Sequence, residues 1–434
     1  MGLSPVAMGL IGLGVMMILM FSGMNLAFAF MIAGFVGTSL MFGPKMALSF
    51  FRNVPVATAM SYTFSLLPMF MLMGDFSVKG NLTRDAYDAA RKWLGRLPGG
   101  LAITSTVASA IFGAICGSGQ ATAMVMTQVA WPEMERYGYH KGLGLSSIAA
   151  AGPLATLIPP STPMILYAVL SGASIGDLFL AGWGAGIWTT LLLCITIVII
   201  VKRHPEFAPR ADKCTLKEKL GSLKGCWEIL LLIVLVMYFI WGGVTTVNEA
   251  AGVAAICCMI IVLAKRRCKV KDIVEVIKKT SLQAVGLFFM FIGVQVFNNF
   301  LVLTRLPAML SGFIKSLNMP PIIVILIIVV IYVVLGCFID TPVITMLCVP
   351  IFAPVVAALG YNLVWFGIIS CLCFALGSIT PPVGICLFVI GARVEGSMNV
   401  MFKWIWPFVI ATLIATLSIV FVPQIAMWLP NLAH

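Results

Sequence analysis

The residues in this chain that could do chemistry gather at four places. In the second half, Ile339-Asp340-Thr341 precedes Pro342, and Gly377-Ser378-Ile379-Thr380 precedes Pro381-Pro382-Val383-Gly384. In the first half, the matching places are Gly117-Ser118-Gly119 with Thr122, and Thr156 with Pro159-Pro160-Ser161-Thr162. All four interrupt hydrophobic runs. One carboxylate, several hydroxyls and the loose carbonyls of an interrupted helix are oxygen ligands for a sodium ion, while helix N-termini receive carboxylates. A carboxylate at membrane depth costs a few kcal/mol even on the generous insertion scale. Proline removes a backbone donor and clashes with the preceding turn. Non-helical backbone survives at that depth only inside protein or beside a polar cavity.

Other chemistries have little to work with. The three histidines, His140, His204 and His434, fall in expected loops or at the end. An intramembrane enzyme needs a nucleophile with a general base, and no histidine or second deep carboxylate is available to Ser118. The 12 cysteines lie mostly inside apolar runs, where they read as small core hydrophobes. Cys371-x-Cys373 is too short a spacing for zinc.

The four places form two pairs. Adding 222 to first-half numbers puts Pro98 on Pro320, Ser118 on Asp340, Pro132 on Pro354, Gly138-Tyr139 on Gly360-Tyr361, Thr156 on Ser378, and Pro159-Pro160 on Pro381-Pro382. Marks aligned without a gap over more than sixty residues are an internal repeat. Interrupted hydrophobic segments at matching places in two halves point to a transporter's binding site.

Composition sets the class. Of 434 residues, 61% are hydrophobic and 10% charged, with mean hydropathy +1.09. A soluble domain carries about 25% charged residues, so this is an all-α polytopic membrane protein. The start lacks a basic region and a small-residue cleavage site, so no cleavable signal peptide is expected. The net charge of +12 then reads as topological rather than as a nucleic-acid footprint.

A span needs roughly 20 apolar residues. Spans are expected near 4–21, 24–43, 55–78, 142–170 (broken at 155–162) and 177–201, with a re-entrant hairpin over 98–133. The second half repeats the plan with 226–243, 246–264, 280–302, 362–391 (broken) and 400–428, and a hairpin over 319–357. Lys79–Arg96 and 303–318 read as amphipathic interfacial helices, and Lys202–Lys224 as a basic linker. Five crossings plus one re-entrant hairpin per half make the repeats inverted. With both termini outside, 23 Lys and Arg fall inside and only Lys45, Arg52, Arg305 and Lys315 outside, a positive-inside signature.

A first cation site is expected from Gly117, Ser118, Gly119, Thr122, Thr156 and Pro159. A second would use Ile339, Asp340, Thr341, Gly377, Ser378 and Thr380. An anionic substrate would lie between them, near Ser118, Pro160, Ser161, Thr162, Thr341, Pro381, Pro382, Val383 and Gly384. No Lys or Arg falls deep inside an expected span. The anion must be met by helix N-termini, hydroxyls and bound cations, or by a basic residue carried in from an edge. Blander readings stand beside these. Asp340 before Thr341-Pro342 is also an N-cap, and Gly117-Ser118-Gly119 could be a packing patch. Asp75 reads as interfacial, and Gln295, Asn298 and Asn299 as interhelical polar glue.

With these residues in hand, the chain resembles the large membrane subunit of tripartite ATP-independent periplasmic (TRAP) transporters. The marks are Gly117-Ser-Gly-Gln-Ala-Thr-Ala123, Gly152-Pro-Leu-Ala-Thr-Leu-Ile-Pro-Pro-Ser-Thr-Pro163, Ser174-Ile-Gly-Asp-Leu-Phe-Leu-Ala-Gly182, Phe338-Ile-Asp-Thr-Pro342 and Ile379-Thr-Pro-Pro-Val-Gly384. The family's first tip often continues with Val-Ala-Thr, whereas Gln120 precedes Ala121-Thr122 here. The resemblance implies an elevator fold in a bacterial inner membrane, with periplasmic termini. Scaffold would be 1–97, 177–318 and 398–434, and the moving transport domain 98–176 and 319–397. It implies uptake of an organic acid, such as a C4-dicarboxylate or a sialic-acid-like sugar acid, driven by Na⁺ as coupling ion and with no other cofactor. It also implies a separate small four-span subunit, since none is fused here, and a soluble periplasmic binding protein. A proton-coupled carrier or a channel of the same architecture is the alternative. A pore, however, should repeat polar residues along one helix, and the chain shows paired breaks instead.

Overall fold

The computed structural model describes residues 4–209, 215–306 and 319–433, together with 308, 309 and 312. Most of the amphipathic stretch expected over 303–318, and residues 210–214 of the basic linker, lie outside the described residues. Every regular element among the described residues is helical.

The first half begins with α1 (Pro5–Phe21), α2 (Leu26–Phe42), α3 (Pro44–Ala59), α4 (Leu66–Lys79) and α5 (Leu82–Leu94). The hairpin is α6 (Gly100–Cys116) and α7 (Gly119–Arg136). The interrupted segment is α8 (Lys141–Ala151) and α9 (Thr162–Ser171), and α10 (Ile175–Arg203) follows. In the second half come α11 (Leu216–Trp241), α12 (Val247–Ala264) and α13 (Val270–Leu303). Then follow a hairpin of α14 (Pro321–Gly336) and α15 (Thr341–Ala358), and a break between α16 (Leu363–Ile379) and α17 (Ile385–Gly391). The chain closes with α18 (Met398–Trp404), α19 (Trp406–Phe421) and α20 (Gln424–Ala433).

Several boundaries depart from the sequence reading. The third expected span, 55–78, is a bend: α3 and the segment Tyr62–Lys79 meet at 56°. The last, 400–428, is bent by 48° between α18 and α19 and ends at Phe421. The span expected at 280–302 is the end of a longer helix, because α13 starts ten residues earlier, in a charged stretch, where the Asp272 carboxylate accepts the Lys269 N–H at 2.7 Å. Four described helices are long and apolar enough to cross a membrane alone, among them the hairpin arm α15, or six if each bent pair is one span. The remaining apolar helices are shorter, because glycine and proline divide them.

Two kinds of packing position the site. α13 lies on α2 with small residues at the contact, so that a Cβ on Gly293 would sit 2.5 Å from the Ala27 carbonyl oxygen. The amphipathic α5 buries Leu82, Ala86 and Tyr87 and lies on the first hairpin, where Arg91 reaches Glu133 at 3.2 Å. Its Asp85 receives Arg267 at 2.6 Å and Lys265 at 3.2 Å. This ties the arm helix to the turn between α12 and α13.

Candidate functional site

Each hairpin turns over at a point where one helix ends and another begins. At the first tip Gly117 adopts φ +63°, in the left-handed region, and its N–H closes α6 onto the Gly113 carbonyl at 2.8 Å. Ser118 is extended and caps α7, its hydroxyl accepting from Ala121 N at 3.4 Å. At the second tip Asp340 caps α15, its Oδ1 accepting from Thr341 N at 2.6 Å. The N-cap reading of Asp340 therefore holds. The same oxygen also accepts Gln120 Nε2 at 2.5 Å. Gln120 and Asp340 stand 220 positions apart, so this one bond joins the two tips.

The breaks lie against the tips. A Cβ on Gly117 would be 3.3 Å from Pro160 O, Thr162 N and Thr162 Oγ1. In the second half the close approach is Gly336 against Gly377, where a Cβ on Gly377 would be 2.6 Å from the Gly336 Cα. Gly384 N, just before α17, donates to Cys337 O at 3.2 Å. Both diprolines, Pro159-Pro160 and Pro381-Pro382, are joined by cis peptide bonds.

Tips and breaks share a cavity of about 370 Å³. Of the residues singled out from sequence, Gly117, Ser118, Gly119, Thr156 and Thr162 line it from the first half. Asp340, Thr341 and Ser378 line it from the second. The others stand back. Thr122 is buried one turn behind the first tip, and its hydroxyl has no oxygen or nitrogen partner. Pro159, Pro160 and Ser161 are buried inside the first break, and the Ser161 hydroxyl donates to Thr156 O at 2.8 Å. Ile339 and Gly377 are buried. The hydroxyls of Ser378 and Thr380 donate back to Ala375 O at 2.8 Å and Leu376 O at 2.6 Å. Pro381, Pro382, Val383 and Gly384 are not among the lining residues, and Pro382 is exposed.

The cavity also contains residues that the sequence reading did not place at the site. Lys279, Gln283 and Asp75 line it. Lys279 Nζ meets Asp75 Oδ1 at 2.7 Å, and the Thr280 hydroxyl donates to Asp75 Oδ2 at 2.6 Å. Asp75 is thus a partnered residue of the cavity wall. Lys279 lies on the stretch of α13 that the span 280–302 left out. The signal was available: Asp75 is a lone acid in an apolar run, and it asks for a partner.

The lining carries two carboxylates, Asp75 and Asp340, against one ammonium, Lys279. Asp340 Oδ1 takes both of its donors, which leaves Oδ2 without a protein donor among the described residues. That oxygen and the hydroxyl of Thr122 are of the hard kind a sodium ion takes. No cluster of three or more His, Cys, Asp or Glu that could hold a metal ion occurs among the described residues.

The family described as "Tripartite ATP-independent periplasmic transporter, DctM component" matches residues 13–425. The C4-dicarboxylate TRAP transporter large permease protein of Pseudomonas aeruginosa is 29% identical, over 91% of this chain and 92% of its own. The ectoine/5-hydroxyectoine TRAP transporter large permease protein of Ruegeria pomeroyi is 28% identical, over 96% and 97%. The sialic acid TRAP transporter large permease protein of Vibrio cholerae is 26% identical, over 95% and 96%. Among solved structures, the YdaH transporter of Alcanivorax borkumensis superposes with a TM-score of 0.60 at 14% identity, covering 87% of this chain and 89% of that one. At that identity the likeness speaks for the fold alone. The relatives are inner-membrane permeases and not enzymes. A match over nearly the whole length, on a chain whose paired hairpins and breaks meet at one cavity, means that this protein belongs to the TRAP transporter family as its DctM component, the large membrane permease.

Proposed function

We propose that this permease takes up a small organic acid coupled to sodium entry, by an elevator movement of the two hairpin-and-break units against the remaining helices. The observation that carries this is the charge of the cavity. Two carboxylates outweigh one ammonium that is itself held by Asp75. An anionic substrate would be repelled unless cations entered first, which couples its binding to Na⁺. The first cation would be held around Gly117, Ser118, Gly119 and Thr122, with Thr156 and Pro159 behind. The second would sit at Asp340 and Thr341, with Ile339, Gly377, Ser378 and Thr380 around it. The substrate would lie between them, against Ser118, Thr162 and Thr341, with Pro160, Ser161 and Pro381–Gly384 shaping the walls.

The substrate class follows from the relatives' named cargoes. C4-dicarboxylates, sialic acid and ectoine all carry a carboxylate. The family name implies a tripartite assembly, so a small membrane subunit and a periplasmic substrate-binding protein are the expected partners. Matching elements 222 residues apart support two repeats of inverted orientation. The charge bias supports a cytoplasmic mouth near Val78 and Lys279 and periplasmic termini. Each charge crossing 100 mV releases about 2.3 kcal/mol, and a tenfold Na⁺ gradient adds about 1.4 kcal/mol. Two Na⁺ therefore suffice to drive one monoanion inward. The test is uptake into proteoliposomes holding both membrane subunits, with the loaded binding protein outside. Uptake should vanish when choline replaces Na⁺. Uptake that runs unchanged without Na⁺, on a proton gradient, overturns the coupling and moves the proton to Asp340.

A further inference from the structure

Helix α13 is 34 residues long, about 50 Å at 1.5 Å per residue, and it passes two cavities. Lys279, Gln283 and Leu287 line the one shared by the hairpin tips. Phe291, Gln295 and Asn299 line a second, of about 810 Å³. That second cavity is bounded on one side by the α3–α4 bend at Thr58 and Ser61, and on the other by Gly172 and Ser174 between α9 and α10. The six α13 positions are spaced by four throughout, so they form one continuous ridge on the helix surface. The ridge is polar at both ends and apolar in the middle. Its centre is tightly packed: Phe291 is 1% exposed, with its ring 4.2 Å from that of Phe64. The side of α13 opposite Phe291 is already used, since Gly293 and Phe297 pack on α2.

We propose that this ridge is the surface along which the hairpin-and-break unit travels, with a polar station for the cargo at each end and an apolar seal between them. The inference rests on the elevator reading above and adds the track to it. In the arrangement seen here the tips stand at Lys279 and Gln283, the release station. Gln295 and Asn299 are the loading station, where amide N–H groups can hold a carboxylate without a competing acid. Leu287 and Phe291 form the seal that the cargo passes only inside the moving unit. From Gln283 to Gln295 is 12 residues, which sets a travel of about 18 Å along the helix. A ridge of every fourth residue is inclined by about 26° to the axis, so the path is oblique.

The experiment uses the native Cys116, which lines the cavity of the tips. Gln283→Cys and Gln295→Cys are made one at a time in the full permease with its small subunit, and treated with a short bismaleimide. Bridged peptides are read by mass spectrometry, with uptake measured in parallel. Gln283→Cys should bridge to Cys116 without sodium and substrate. Gln295→Cys should bridge only with external sodium and loaded binding protein, where the bridge from position 283 is lost. Phe291→Ala, made separately, should let substrate leak down its gradient without binding protein. If position 295 never bridges while position 283 bridges in every condition, and uptake remains sodium-driven, the track is wrong and the transport reading survives. If the bridges alternate but uptake ignores sodium, the track stands and the coupling falls. A Phe291→Ala protein with no leak removes the seal from the proposal.

Discussion

At the first hairpin tip Gly117 turns with positive φ and a neutral hydroxyl caps the next helix; at the second, Ile339 turns with a full side chain and a carboxylate caps it. Both tips interrupt apolar runs and both open α-helices into one cavity. The difference lies in where each unit stores its close packing and its charge. The first tip presses directly on its break, with Gly117 against Pro160 and Thr162. The second keeps its tight contact further back, at Gly336 and Gly377, and leaves room at the tip for a charged group. The two tips are thus a neutral member and an anionic member, and Gln120 spans the gap between them.

The largest effect should come from removing the charge. Asp340→Asn keeps the cap's shape and loses the unit charge. For two charges about 4 Å apart at an effective dielectric of 20, the interaction is about 4 kcal/mol. Sodium-dependent uptake should fall at least about tenfold, with the half-saturating sodium concentration raised at least about tenfold, since each factor of ten is about 1.4 kcal/mol. A sodium titration equal to that of the wild type would mean that the two tips do not differ in function. Next in size is the bridge between the tips. Hydrogen bonds to charged groups contribute about 1.5–3 kcal/mol, so Gln120→Ala should lower thermal stability and slow uptake several-fold. Gln120→Glu should be worse, because two carboxylates would then face each other. A Gln120→Glu protein as active as Gln120→Ala would show that the tips do not need each other.

Gly117→Ala tests the packing half of the comparison. A side chain held at φ +63° costs roughly 1–2 kcal/mol, and the new Cβ would stand 3.3 Å from three polar atoms. The melting temperature should drop accordingly, while truncation of Ile339 should leave the backbone of the second tip in place. Equal backbone disturbance at the two sites, read by hydrogen exchange of the capped helices, would erase the contrast.

The four breaks were legible because they cluster Asp, Ser, Thr, Gly and Pro inside apolar runs, and because each occurs twice at a spacing of 222. Hydropathy located most helices. It failed where a helix continues past its apolar part, as α13 does into Lys278 and Lys279, and where α3 and α4 bend at Met60-Ser61 without a proline at the corner. The contacts that complete the site were hidden for a different reason. Gln120 with Asp340, and Lys279 with Asp75, join residues about two hundred positions apart. No local period encodes which polar residue of one half meets which of the other. The Lys279–Asp75 pair could have been inferred from cost, since a lone acid in an apolar run needs a donor. Gln120 carries no charge and gave no such demand.

The smallest effect concerns the turns that follow the hairpins, Gly138-Tyr139-His140 and Gly360-Tyr361-Asn362. Asn362 caps α16, its Oδ1 accepting from Val364 N at 2.7 Å. His140, at the matching place before α8, makes no such cap. It stacks instead on Phe207 at 4.2 Å and meets Trp404 edge-on at 5.0 Å, and its Nδ1 is buried without a partner. Burial first, and the neighbouring His204 second, hold its pKa below the usual histidine value. The unfolded chain then binds a proton at a pH where the folded one does not, so stability falls as pH drops through about 6.5. His140→Asn puts the second half's residue in the first. It removes this titration and can supply a cap of about 1 kcal/mol. Melting temperature measured from pH 7.5 to 5.5 should decline less steeply than in the wild type, with little change at the alkaline end. An unchanged slope would assign the acid sensitivity to other groups, and would mean that the two turns, unlike the two tips, differ in residue but not in consequence.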